Sequence, residues 1–203
     1  MIDVIIPVYD GFEETTRCIN SVLNNKNATR FNLLVIEDCS PSPAIKSYLQ
    51  ELSKKGLIEL LVNEQNRGFV RTANRGMSLH PDRNVLLLNS DTEVANDWLD
   101  RLVKHAESDS HIATITPFSN NAEICSFPRY CQPNPLFLGL SVDDIDAVFS
   151  SLPACQVDVP TGVGFCMFIR REALNDVGMF DEKAFGLGYG EENDFCMRAS
   201  ALG

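Results

Sequence analysis

Aliphatic residues gather along this chain in short runs, and each run is followed by apolar positions at helical spacing. Residues Ile2–Val8 form the first run, with Pro7 near its end and Asp10-Gly11 just beyond it, and predict a strand. Phe12, Thr15, Thr16, Ile19, Val22 and Leu23 then mark a helix, with Asp10 as its candidate N-cap. Residues 31–36 make a second buried run that ends in Glu37-Asp38-Cys39-Ser40-Pro41. Ile45, Tyr48, Leu49 and Leu52 mark the next helix, which Gly56 closes. The alternation continues with a strand over 58–62, a helix over 68–79 and a strand over 85–88. A helix carrying Trp98, Leu99, Leu102, Val103 and Ala106 follows, then a strand over 112–116. Uninterrupted apolar strands between amphipathic helices imply a sheet covered on both faces, hence mostly parallel. Right-handed crossovers then make it a Rossmann-like, doubly wound α/β sheet.

After Pro117 the pattern changes. Residues 117–140 hold four prolines and three asparagines with no clear period, which predicts a long irregular loop. Ser141 and the acids after it can cap a short helix reaching about residue 150. A further apolar run covers 163–169, a short helix Arg171–Val177, and a last helix 194–202. That helix is still open where the sequence stops, so the chain is expected to be a fragment of a longer protein.

Composition narrows the classes of function. Hydrophobic residues at 44% and charged residues at 22% describe a globular chain of 203 residues. Seventeen basic against 28 acidic residues leave a net charge of −11, which argues against nucleic acid or anionic lipid as partner and leaves room for cations. The seven cysteines include no C-x-x-C pair and several lie inside apolar runs, so they read as reduced packing thiols of a cytoplasmic protein. The acidic N-terminus does not resemble a signal peptide, and no apolar run approaches membrane-spanning length.

Chemistry concentrates where the strands end. In a parallel sheet the C-terminal strand ends share one rim, where ligands of open α/β sheets bind. Glu37-Asp38 ends the second strand and Asp91 the fourth, so both face that rim although more than fifty residues separate them. Asp91 either holds Mg²⁺ or Mn²⁺ beside a ligand's phosphates or caps the turn into the helix that follows. No G-x-G-x-x-G follows the first strand, and no G-x-x-x-x-G-K-[ST] occurs, which disfavours dinucleotide dehydrogenases and P-loop enzymes.

Six stretches, in order, resemble glycosyltransferase family 2 enzymes of the GT-A fold. They are "VIIPVYDG" at 4–11, "LLVIEDCSPS" at 33–42, "NRGFVRTANRG" at 66–76, "LLLNSDTEVANDWL" at 86–99, "PTGVGFCMFIRREALNDVGMFDE" at 160–182 and "GYGEENDFCMR" at 188–198. The resemblance implies a donor-binding half over 1–116 and an acceptor-side half over 117–203 within one continuous domain. It implies that Pro7 and Tyr9 line a base and ribose pocket, and that Asp38 accepts a hydrogen bond from a pyrimidine N3–H. Glu37 stands where the family often has another Asp. Gly68 would let the backbone approach the ligand, and Arg71 would face the diphosphate or base, the other reading being a solvated helix face. Asn74 and Gly76 match the family pattern or pack their helix on the sheet. Asn89-Ser90-Asp91 corresponds to the D-x-D metal motif, with Asn in place of the first acid. Ser90 and Asp91 would then meet the donor, and Asp91 the metal. In the acidic motif Glu192 falls at the general-base position, where the family usually has Asp. Glu191 and Asp194 flank it, one shaping the acceptor site and one tying down the helix start.

The implied activity is inverting transfer of a sugar from a UDP- or dTDP-type donor to the hydroxyl of a saccharide or lipid-linked saccharide, assisted by Mg²⁺ or Mn²⁺. Cell-surface polysaccharide synthesis is the setting the family suggests. A non-catalytic nucleotide-sugar-binding domain is the alternative. A pyrophosphorylase is disfavoured, because "PVYDGFEETT" offers no basic residue to a triphosphate.

Overall fold

The computed structural model describes residues 1–203, the side chain of Leu138 excepted. Its elements run β1 (Ile2–Val8), α1 (Phe12–Asn24), β2 (Phe31–Glu37), α2 (Pro43–Lys54), β3 (Glu59–Val62), α3 (Gly68–Met77), β4 (Asn84–Leu88), α4 (Trp98–Ser108), β5 (Thr114–Ile115), α5 (Val142–Ser150), β6 (Cys166–Ile169), α6 (Arg171–Val177), α7 (Glu182–Phe185) and α8 (Glu191–Leu202). The six strands form one sheet in the order β3-β2-β1-β4-β6-β5. Strands β1 to β4 are parallel, as the alternation of runs predicts.

Period-two alternation sends side chains to two cores. Val4, Ile6, Val8, Val35, Leu86 and Leu88 point to one face and pack with Ile19, Val22, Leu49 and Leu99 of α1, α2 and α4. Ile5, Leu34, Ile36, Val85 and Leu87 point to the other and meet Val70, Ala73 and Met77 of α3, Leu174 of α6 and Phe195 of α8. Each such aliphatic side chain, fully buried, contributes about 1.5–3 kcal/mol. Both faces being covered is why the strands read as continuous apolar runs.

The helix ends follow local chemistry, with one correction. The N-cap of α1 is Gly11, at φ +83°, and Asp10 accepts the Gly11 N–H instead of capping the helix. Glycine supplies the left-handed conformation that starts the helix there. At α2, Gly56 N–H donates to Ser53 O and Leu57 N–H to Leu52 O, the paired bonds of a Schellman motif. Ser141 and Asp144 form a capping box on α5. Helix α8 begins at Glu191, three residues before the predicted start, so the acidic motif lies inside its first turn.

The larger difference lies at the far edge of the sheet. The predicted strand over 112–116 shrinks to Thr114–Ile115 and does not adjoin β4. Strand β6 inserts between them, antiparallel to both, with Val85 opposite Ile169 and Leu88 opposite Cys166. An antiparallel neighbour arrives where its partner leaves, so residues 162–165 reach the same rim as the turn after β4. Among the described residues, no helix is long and apolar enough to cross a membrane. All seven cysteines are free, and Cys18, Cys125, Cys166 and Cys196 are buried.

Candidate active site

The sheet's order reverses between β1 and β4, and a cleft opens there at the strands' C-terminal rim. Its volume is about 540 Å³, and Pro7, Tyr9, Asp38, Gly68, Ser90 and Asp91 all line it. Six of the residues selected from sequence thus come together from four separate segments. Tyr9 presents its ring half-exposed at the mouth.

Asp38 is more deeply engaged than a simple ligand contact. Its Oδ1 accepts from Asn63 Nδ2 at 2.6 Å and from the Arg67 N–H at 2.8 Å, and its Oδ2 accepts from the Gly68 N–H at 2.9 Å. The carboxylate thereby clamps the end of β2 to the start of α3. Three of its roughly four lone-pair sites are used, leaving one free. Glu37 turns away from the cleft and binds the Ser40 N–H. Gly68 sits at φ +77°, and a Cβ there would come within 2.8 Å of Leu187 Cδ2, so a glycine is required by backbone and neighbour together.

The turn after β4 is held from below. The Asn89 N–H donates to Phe165 O at 2.8 Å. Burial pushes the Cys18 thiol up to about 12, so it stays protonated and donates to Asn89 O at 3.3 Å. Asp91 remains exposed at the cleft.

Charge in the cleft is one-sided. Asp10, Glu14, Asp38 and Asp91 line it, and among the described residues no lysine, arginine or histidine does. Every charged side chain a diphosphate would meet on entering is negative, so it needs a cation with it. Among the described residues no cluster of three His, Cys, Asp or Glu could hold a metal alone. One carboxylate beside Asn89 and Ser90 does suit a Mg²⁺ or Mn²⁺ ion that takes its other ligands from phosphate and water. The residues present therefore fit a metal shared with a donor.

The remaining candidates lie outside this lining. Arg71 faces a second depression with Arg67, Arg75, Asn74 and Glu182, and its Nε stands 3.6 Å from Glu182 Oε2. Asn74 fastens α3 to the following chain, its Nδ2 donating to Phe180 O at 2.9 Å. Gly76 packs against Ile5 and Ile36. In α8, Asp194 accepts from Arg198 Nε at 2.8 Å, within one helical turn. Glu191 is buried, with Oε2 unpartnered, and burial raises its pKa. Glu192 Oε1 accepts the Gly164 N–H at 3.1 Å. Burial also raises the Glu192 pKa, backbone N–H groups partly offset this, and Glu123 adds to the rise. Gly164 adjoins Phe165, whose carbonyl holds Asn89, so Glu192 is linked to the cleft through one peptide unit.

Sequence reasoning missed Asp10, Glu14, Asn66, Phe69 and Leu187, which also line the cleft. Asn66 stands inside a quoted motif and was open to view. Leu187 carried no signal, because only the tertiary fold lays its loop over Gly68.

The comparison with known families is decisive at this point: residues 3–178 match the model of "Glycosyl transferase family 2". The chain belongs to that family. It is 24% identical over 180 residues to Glycosyltransferase AglE of Haloferax volcanii, covering 88% of this chain and 55% of that protein. Among solved structures, GalNAc-T7 with UDP, GalNAc and Mn²⁺ superposes with a TM-score of 0.71 at 18% identity, covering 98% of this chain and 40% of that one. Mannosyltransferase PcManGT from Pyrobaculum calidifontis, with GDP-Man and Mn²⁺, gives 0.68 at 14% identity, covering 100% and 52%. These likenesses establish the GT-A fold. The chain spans 20% and 55% of the lengths of the curated relatives it matches.

Proposed function

We propose that this family 2 chain carries the donor-binding and base-bearing part of a metal-assisted, inverting glycosyltransferase. The observation that carries the reading is the acidic cleft at the β1/β4 switch point, where Tyr9, Asp38 and Asp91 converge. Residues 1–116 form the donor half and 117–203 the acceptor side.

The donor's base lies against Tyr9, within reach of Asp38, whose single free acceptor site suits the lone ring N–H of uracil or thymine. Guanine presents two adjacent donors and is matched less well, which favours UDP- or dTDP-sugars. Asp91, with Asn89 and Ser90 beside it, would hold Mg²⁺ or Mn²⁺. That ion, when bound, offsets the charge that builds on the departing diphosphate. The base must accept the acceptor hydroxyl's proton as the new bond forms, and Glu192 takes that role, a contribution worth about 10²–10⁴-fold. A single displacement inverts the anomeric centre. The acceptor is a saccharide or lipid-linked saccharide, in cytoplasmic synthesis of cell-surface polysaccharide.

Calorimetry of UDP, dTDP and GDP with and without Mn²⁺ tests the donor site. Binding of UDP or dTDP that needs Mn²⁺ and is lost in Asp91→Ala supports it; metal-independent binding refutes it. One feature favours the rival reading of a binding-only domain: Glu192 rests on Gly164, outside the cleft lining. Transfer by the full-length protein that survives Glu192→Gln unchanged would remove the base assignment.

A further inference from the structure

Five consecutive residues ahead of β6 are each tied to a different neighbour. Thr161 Oγ1 donates to Asn193 Oδ1 at 2.6 Å, and the Gly162 N–H to Cys196 Sγ at 3.2 Å. The Val163 N–H donates to Thr116 Oγ1 at 3.1 Å, and the Gly164 N–H to Glu192 Oε1 at 3.1 Å. Phe165 O accepts from the Asn89 N–H at 2.8 Å and from Thr92 Oγ1 at 3.3 Å. The segment is a rail with α8 on one side and the Asn89–Asp91 turn on the other.

Gly164 is the point where the rail meets the proposed base. Its φ lies outside the left-handed region, so the backbone does not call for glycine there. The neighbour does: a Cβ would fall 2.1 Å from Glu192 Oε1, 3.1 Å from Cδ and 3.4 Å from Cγ. All three atoms belong to one flexible side chain, so an added methyl would displace the carboxylate and leave the fold in place.

We infer that Gly164 is a positioning residue for Glu192: its N–H and its missing side chain fix where the carboxylate stands relative to the turn bearing Asp91. This rests on the assignment of Glu192 as base. The Gly164 N–H anchors Oε1 on a fixed rail, and the carboxylate's remaining lone pairs can take a proton. Supports of this kind decide whether a site is held tightly enough to work.

The test is a double-mutant cycle in the full-length protein with Gly164→Ala, Glu192→Gln and the pair. The readout is nucleoside-diphosphate release from UDP-glucose, UDP-N-acetylglucosamine, dTDP-glucose and GDP-mannose, taken donor by donor. Gly164→Ala is expected to lower kcat by about 100-fold, the lower end of what base catalysis supplies. Donor KM should stay within about twofold, because Gly164 does not line the donor cleft and the atoms an added methyl would meet all belong to Glu192. In the Glu192→Gln background the same alanine should cost less than about twofold, since its target is already disabled. An equal loss in both backgrounds makes Gly164 merely structural and overturns the inference. So does wild-type kcat in Gly164→Ala beside a crippled Glu192→Gln. Wild-type kcat in Glu192→Gln refutes the base assignment itself, a separate result.

Discussion

Replacing Asp38 with alanine isolates what its carboxylate does for the fold. The residue is 4% exposed, and its carboxylate takes three N–H donors. Removing it does not orphan all three. The Gly68 N–H keeps Asn66 Oδ1 at 2.8 Å, and the Asn63 amide keeps Thr72 Oγ1 at 3.1 Å for one of its hydrogens. The Arg67 N–H and the second Asn63 hydrogen lose their acceptor. Two unmade bonds at about 1–3 kcal/mol each, softened by water entering from the cleft, amount to about 3 kcal/mol. For a chain of this size that lowers Tm by roughly 6–12 °C. Asp38→Asn should cost less, about 1–2 kcal/mol, because its oxygen can keep the Asn63 and Arg67 bonds while the amide nitrogen faces a Gly68 N–H that has another acceptor. Urea unfolding followed by circular dichroism measures both. A loss under about 1 kcal/mol for alanine, or asparagine proving the worse of the two, would refute the clamp.

Three further outcomes follow from the same geometry. Gly76→Val should destabilise by about 1–3 kcal/mol in denaturant unfolding, since even a Cβ would stand 2.7 Å from Ile5 Cγ2 and 3.0 Å from Ile36 Cδ1. Glu191→Gln should raise Tm at pH 8: burial raises the native pKa, so the glutamate's stability is highest below the ordinary glutamate range and falls as pH climbs through the raised value. The gain over wild type should disappear when melts are repeated at pH 4. Arg71→Ala should leave Mn²⁺-dependent UDP affinity within about twofold by calorimetry, because the guanidinium faces a different depression and pairs with exposed Glu182, a contact worth under about 1 kcal/mol.

Much of this architecture is written in local pattern. Burial on both faces demands continuous apolar strands, so the first four strands and the helices between them can be read from the sequence. Strand ends are then fixed to one rim, and that is why Asp38 and Asp91 were within reach before any coordinates, while Pro7 and Tyr9 came from the family resemblance. What the sequence could not decide has one physical source: contacts between segments far apart in the chain have no local period. Nothing near Cys166–Ile169 says that it pairs antiparallel with β4 across some eighty residues, yet that pairing brings Gly164 and Phe165 between the acidic motif and the Asn89–Asp91 turn. Glu37 and Asp38 are adjacent carboxylates, and only the fold turns one into its own loop and the other toward the cleft. Helical spacing places Arg67, Arg71 and Arg75 on one side of α3. Which side meets the cleft depends on how Gly76 seats the helix against Ile5 and Ile36, a matter of packing and not of pattern.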